Sequence, residues 1–271
     1  MCLFNLSGYY QNVRSLNNKL NNLICNIQCE KYDFLMLTET WLKSEMRQNG
    51  GGGVVIIVNN KYTCELIQIP YGSIEQVFVL MKINDVQKVI LGTCYIPETS
   101  PLSVYETHTD TISWLFSRFD DKTNILIAGD YNFRGTTFSC NNTGLTIDGN
   151  RSAAVNIIYD CFSVHNLSQY NCIRNSYGNI LDLIFTNLNL ISVKLCSSLL
   201  VTINKPHPPL NIICEFYKCN NLSIPTKTYR NFRKINFDNV SIALNKINWC
   251  NLFSCMNVDA ALQRLQTFTQ W

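Results

Sequence analysis

Apolar positions along this chain fall into two spacings. Leu16, Leu20, Leu23, Ile24 and Ile27 recur three or four residues apart, which predicts a helix running to about Cys29 out of a short strand in Tyr9–Leu16. Ser103–Phe119, with Ile112, Leu115, Phe116 and Phe119 on one face, reads as a second helix. Arg151–His165, with Ala154, Val155, Ile158 and Phe162 inward, reads as a third. Shorter apolar runs have strand length: Tyr32–Thr38, Val54–Val58, Ile125–Ala128, Leu181–Thr186, Leu195–Ile203 and Leu210–Phe216. Val54–Val58 is unbroken, so it is expected to be buried on both faces. Val77–Ile83 and Val86–Ile96 flank Asn84-Asp85, a hairpin turn. Strands joined partly by helices and partly by hairpins predict an α/β protein, a layered sandwich of two mixed β-sheets flanked by helices.

The texture changes after Asn220. Lys227, Arg230, Arg233 and Lys234 make a basic stretch, and two short helices are expected at Asp238–Ile247 and Val258–Gln270. The reading is one domain over residues 1–220 and a helical piece over 221–271. The basic stretch would suit DNA phosphates but fits a solvated linker face better.

Composition removes several classes. With 46% hydrophobic and 15% charged residues in a chain of 271, global disorder is excluded and a sizeable core is affordable. Thirteen cysteines are scattered without paired CxxC spacing, which argues against structural zinc and for a reducing compartment. Cys25, Cys94, Cys161 and Cys214 sit in apolar runs, where a thiol acts as a small hydrophobe. No apolar run reaches the roughly 18 residues of a membrane span, and the first residues lack the pattern of a secretion signal. An intracellular protein without membrane contact is expected. A net charge of +3 does not announce nucleic acid, so an anionic partner must be argued from a site.

Such a site emerges at the strand ends. Asn12, Glu39, Asp130, Asn132 and Asp182 each stand at or beside the end of an apolar run. Any one alone reads as a turn cap. Together with His207 in the rigid loop Pro206-His207-Pro208-Pro209, they are the set a hard cation and a phosphate need. Carboxylate and amide oxygens suit Mg²⁺, and a histidine paired with a carboxylate handles developing charge or a proton.

The segments QNVRSL, LTETWL, GGGGVVIIV, GTCYIPE, IAGDYN and NILDLIFTN, in that order, resemble the endonuclease/exonuclease/phosphatase superfamily. Within it they are most similar to the apurinic-type endonuclease domain of non-LTR (LINE, jockey-like) retrotransposon polyproteins. The likeness spans about Tyr9 to Phe216. The tail from NFRKINF onward is similar to the linker before a reverse transcriptase, so the chain looks like a fragment of a mobile element.

The resemblance implies a role for each matching position. Glu39 of LTETWL is then the metal-binding glutamate, and Asn12 of QNVRSL the asparagine beside it. Tyr95 of GTCYIPE would contact the scissile phosphate. Asp130 and Asn132 of GDYN would orient and deprotonate the attacking water. Asp182 of LDLIFTN would pair with the catalytic histidine, for which His207 is the candidate; His207 would either stabilise charge or protonate the leaving oxygen. The implied activity is Mg²⁺-dependent nicking of DNA, with Mn²⁺ as a substitute, no small-molecule cofactor, and a nuclear location if active.

Two departures stand against this pattern. Pro206 precedes His207, and Asn204 stands where a looser form of the motif has Asp, a weakened second metal position. Only Lys43–Asn49 separate LTETWL from Gly50–Gly53, where the family has a longer segment with a strand; about 25 Å of extended chain can join neighbouring strands but supply no further one. Its loss would leave an unpaired sheet edge or an open groove. These departures favour a rival reading, a degenerate remnant that at most binds nucleic acid. A phosphatase or phospholipase of the same fold is a lesser third. His108 is expected to be a solvated or capping helical residue and His165 a helix cap. Gly50–Gly53 lack the Lys-Ser/Thr of a phosphate loop and read as a turn.

Overall fold

A computed structural model of the chain describes residues 3–42, 52–72, 74–84, 86–120, 123–141, 144–149, 151–202, 205–217 and 237–249. Asn204, Lys43–Asn49, Lys227–Lys234 and the helix expected at Val258–Gln270 lie outside these residues. In chain order the elements are β1 (Leu3–Asn12), α1 (Leu20–Cys29), β2 (Phe34–Thr38), β3 (Val54–Val58), β4 (Thr63–Leu66), β5 (Glu75–Lys82) and β6 (Lys88–Tyr95). There follow α2 (Leu102–Arg118), β7 (Asn124–Asp130), β8 (Thr137–Asn141), β9 (Gly144–Asp148), α3 (Ala153–Val164), β10 (Ser168–Gln169), β11 (Asp182–Thr186), β12 (Ile191–Leu195), β13 (Leu210–Tyr217) and α4 (Phe237–Asn245). The chain divides into two compact units, Met1–Leu222 and Ser223–Trp271, and α4 lies in the second.

The first unit is the layered sandwich. A five-stranded sheet runs β12-β13-β1-β2-β3, and an eight-stranded sheet runs β4-β5-β6-β7-β11-β10-β9-β8. Each is mixed for one reason: β1–β2 and β6–β7 are parallel, and the other pairs are antiparallel. Parallel neighbours need a long crossover, which α1 and α2 provide. Period-two alternation then divides the side chains between layers. Leu6, Tyr10, Phe34, Met36, Leu91, Leu126, Ala128, Ile184 and Ile212 pack between the sheets. Tyr9, Leu35 and Leu37 point to the opposite face with Leu23 of α1. Phe78, Ile90 and Ile127 pack with Ile112 of α2 and Phe162 of α3.

Several local expectations change. Val54–Val58 is half-buried throughout and not sealed on both faces, because β3 is the last strand of its sheet. Of the strand expected at Leu195–Ile203, the described residues after Leu195 form none; β12 lies earlier and ends at Leu195. Leu200 and Val201 are apolar because they pack in the cluster around Tyr9 and Leu23. The first helix begins at Leu20, with Leu23 inward and Leu20, Ile24 and Cys25 exposed, so Cys25 is no core thiol. Cys94 and Cys214 are buried as expected.

Candidate active site

The ends of the two sheets meet where the polar strand-end residues gather. Asn12 closes β1 opposite Thr38 at the end of β2, and Glu39 follows at once. In the larger sheet, Tyr95 pairs with Asp130 and Asp130 with Asp182, which sets three candidate side chains in one row. Asn12 bridges the sheets: its Nδ2 donates to Glu39 Oε1 at 2.7 Å and to Asp130 Oδ2 at 2.9 Å. His207, in the loop before β13, holds its Nδ1 2.9 Å from Asp182 Oδ2 and its Nε2 3.8 Å from Asp130 Oδ2.

The backbone around these groups is strained and pinned. Glu39, Trp41 and Asn132 have φ of 49°, 52° and 53°, and Arg14 and Ser15 are also left-handed. A non-glycine residue there costs on the order of 1 kcal/mol or more, and surrounding bonds must hold it. Ser15 N–H donates to Glu39 O at 2.7 Å, Thr40 N–H to Gly53 O at 3.0 Å and Trp41 N–H to Gly52 O at 2.8 Å. Gly53 N–H in turn donates to the Glu75 carboxylate. Gly50 and Gly51 of the expected turn lie outside the described residues, and Gly52 and Gly53 carry the strained segment that presents Glu39. Asn132 donates its N–H to Asp130 Oδ1 at 3.2 Å and its Nδ2 to Ile96 O at 3.0 Å.

Sequence reasoning missed Tyr10. Fully buried between the sheets, its hydroxyl donates to Asp182 Oδ1 at 2.7 Å, so Asp182 is gripped by a tyrosine on one oxygen and His207 on the other. An aromatic residue in a strand carries no sequence signal for this task. His108 is corrected outright. It is neither solvated nor capping but fully buried, with Nδ1 2.8 Å from Gln76 Oε1 and Nε2 3.0 Å from the Tyr131 hydroxyl. The signal was its spacing, since Tyr105, His108, Ile112 and Leu115 form one inward stripe of α2. His165 takes the C-cap position of α3 as expected, and its ring stacks on Phe116.

Electrostatically the site is short of positive charge. Burial, then Asp182 and Glu39, push the Asp130 carboxyl well above the carboxylate range, and His207 and the Asn12 amide only partly oppose them. Burial works against a charged His207, yet Asp182, Asp130 and Glu39 outweigh it and raise its pKa to about 9. Burial, then Glu39, Asp130 and Glu75, raise the Tyr95 phenol to about 12. One atom each of Glu39, Asp130 and His207 lies within 4.8 Å of the others, a group able to hold a metal ion. A divalent cation fits there: the donors are two carboxylates and an imidazole, and the charge it carries is what buried Asp130 lacks.

Two facing mixed sheets in this order are the endonuclease/exonuclease/phosphatase fold. Residues 89–209 match the family described as endonuclease-reverse transcriptase. Among solved structures the chain is similar to the endonuclease domain of TRAS1, a telomere-specific non-LTR retrotransposon (14% identity, 78% of this chain, 98% of that one, TM-score 0.57). It is also similar to the AP endonuclease LMAP from Leishmania major (12% identity, 79% and 88% covered, TM-score 0.56). A third likeness is the 3′ phosphatase NExo from Neisseria, solved bound to a product DNA hairpin (13% identity, 76% and 98% covered, TM-score 0.52). No curated protein matches the chain. No helix among the described residues is long and apolar enough to cross a membrane.

Proposed function

We propose that the chain is a divalent-metal-dependent endonuclease that nicks DNA by phosphodiester hydrolysis, with Mg²⁺ as the ion. The carrying observation is the convergence of Glu39, Asp130 and His207 within 4.8 Å, supplied by both sheets. The likeness to a retrotransposon endonuclease and to a phosphatase solved with DNA favours a nucleic-acid substrate. Glu39 and Asp130 would hold the ion, which when bound polarises a phosphoryl oxygen and stabilises charge as the bond breaks. Asp130 accepts the proton of the attacking water, and Asn132 fixes Asp130 through its own N–H. Asn12 keeps the two carboxylates in register. Tyr95, protonated at neutral pH, donates to a phosphate oxygen, and His207, oriented by Asp182, stabilises or protonates the leaving oxygen.

Plasmid nicking with Mg²⁺ and with EDTA, beside an Asp130→Ala control, tests this. Nicking that needs Mg²⁺ and disappears in the control supports it; equal nicking in EDTA, or an active control, sinks it. The rival reading, a remnant that binds DNA without cutting it, rests on Asn204 and Pro206 before His207 and on the short Lys43–Asn49 connection, and forecasts a gel shift without nicks.

A further inference from the structure

The loop that carries His207 has few hydrogen-bond donors of its own. Pro206, Pro208 and Pro209 have no N–H, so within this stretch the chain offers mainly carbonyls by which it can be held. Two of those carbonyls are taken by one neighbouring segment, residues 170–181 between β10 and β11. Asn175 Nδ2 donates to Pro206 O at 3.0 Å, and Ser176 Oγ donates to Lys205 O at 3.2 Å. On its other flank the same segment holds Asp182: Asn171 Nδ2 donates to Asp182 O at 2.6 Å.

Asn175 is built for this. It is only 9% exposed. Its Oδ1 accepts from Tyr177 N–H at 2.9 Å and Asn179 N–H at 3.0 Å, and its own N–H donates to Asn179 O at 2.8 Å. The carbonyl side of the amide thus ties its own turn, which leaves the Nδ2 side for Pro206. We propose that Asn175 is a positioning residue that places the His207 imidazole against Asp182. The proposal rests on the nuclease reading for its kinetic consequence but not for its geometry.

Two variants separate this task from mere loop folding. Asn175→Asp keeps an oxygen for the Tyr177 and Asn179 N–H groups but loses the donor to Pro206; Asn175→Ala loses both. The full chain, labelled with ¹⁵N-histidine, gives ring signals from three histidines. In Asn175→Asp the His207 Nδ1–H signal should shift or broaden while those of His108 and His165 stay, and the melting temperature should hold. In nicking assays kcat should fall about 10-fold or more with KM within about twofold, as for loss of a group that orients a reacting one. An unmoved His207 signal with kcat within about threefold of the parent overturns the proposal. If the parent itself never nicks, the nuclease reading falls, and the His207 signal still decides whether Asn175 places the ring.

Discussion

Asp130 is costly where it stands: fully buried, beside two other carboxylates, with the Asn12 amide, the Asn132 N–H and a distant imidazole for relief. Such a residue is kept for chemistry more than for stability. Asp130→Asn should therefore abolish nicking and yet melt no lower than the parent in EDTA, because the amide removes the crowding charge and keeps the shape. Glu39→Ala should lower nicking by about 100-fold or more while the melt stays cooperative. His108 offers a test of stability alone. Burial lowers its pKa to about 3, against about 6.5 in an unfolded chain, so the unfolded state binds the extra proton between those values. Stability should then fall as pH drops below about 6.5, with a slope of up to about 1.4 kcal/mol per pH unit from this group. Asp130, whose raised carboxyl takes up a proton in the folded state over the same range, contributes with the opposite sign, so the test is a difference: between about pH 7 and about pH 5 in urea unfolding, the parent should lose stability relative to His108→Gln by up to that slope. At this scale the charged strand-end residues were legible, since Asp130 and Asp182 stand out against apolar neighbours. Tyr10 and Asn175 were not, because one looks like core and the other like any turn residue until the fold brings them to Asp182 and Pro206.

Elements with a full apolar face were read well and those without one were missed. α2, α3, β2, β7 and β11 carry continuous or stripe-like hydrophobicity and lie where expected. β4 is exposed at every residue, and β8 and β9 are short strands in which only Phe138, Leu145 and Ile147 are buried, alternating with polar residues, so their pairing left a weak mark in the pattern. Leu195–Ile203 failed for the opposite reason, since apolar residues fill a core without being a strand. The glycines before β3 give the prediction at this scale. Gly53 has φ of +88°, and a Cβ there would lie 2.7 Å from Thr40 Oγ1. Gly53→Ala should cost about 1–3 kcal/mol by denaturant midpoint and slow nicking through the turn that presents Glu39. Gly72→Ala, where a Cβ meets nothing within 4 Å, should change stability by less than about 0.5 kcal/mol.

Over the whole first unit, alternating strands and helices announced the sandwich, but strand order did not follow from them. Nothing along the chain says that β13 inserts between β12 and β1 or that β11 lies next to β7, because these pairings join segments far apart in sequence. The order matters, since it sets Asp182 beside Asp130 and the His207 loop over both. If Glu39 and Asp130 share an ion, Mg²⁺ should raise the melting temperature in a concentration-dependent way, as any ligand of the native state does. EDTA should reverse the rise, and Asp130→Asn should not show it. The Asn12 bridge carries a last consequence. Because one amide touches Glu39 in the smaller sheet and Asp130 in the larger, it works as a gauge of how the layers are registered. A substitution deep in the interlayer, at Met36 or Ala128 for instance, needs to slide one sheet past the other by only a fraction of an ångström to open that gauge. Such a change would disturb the site from far away, with every acidic side chain of the site still in place.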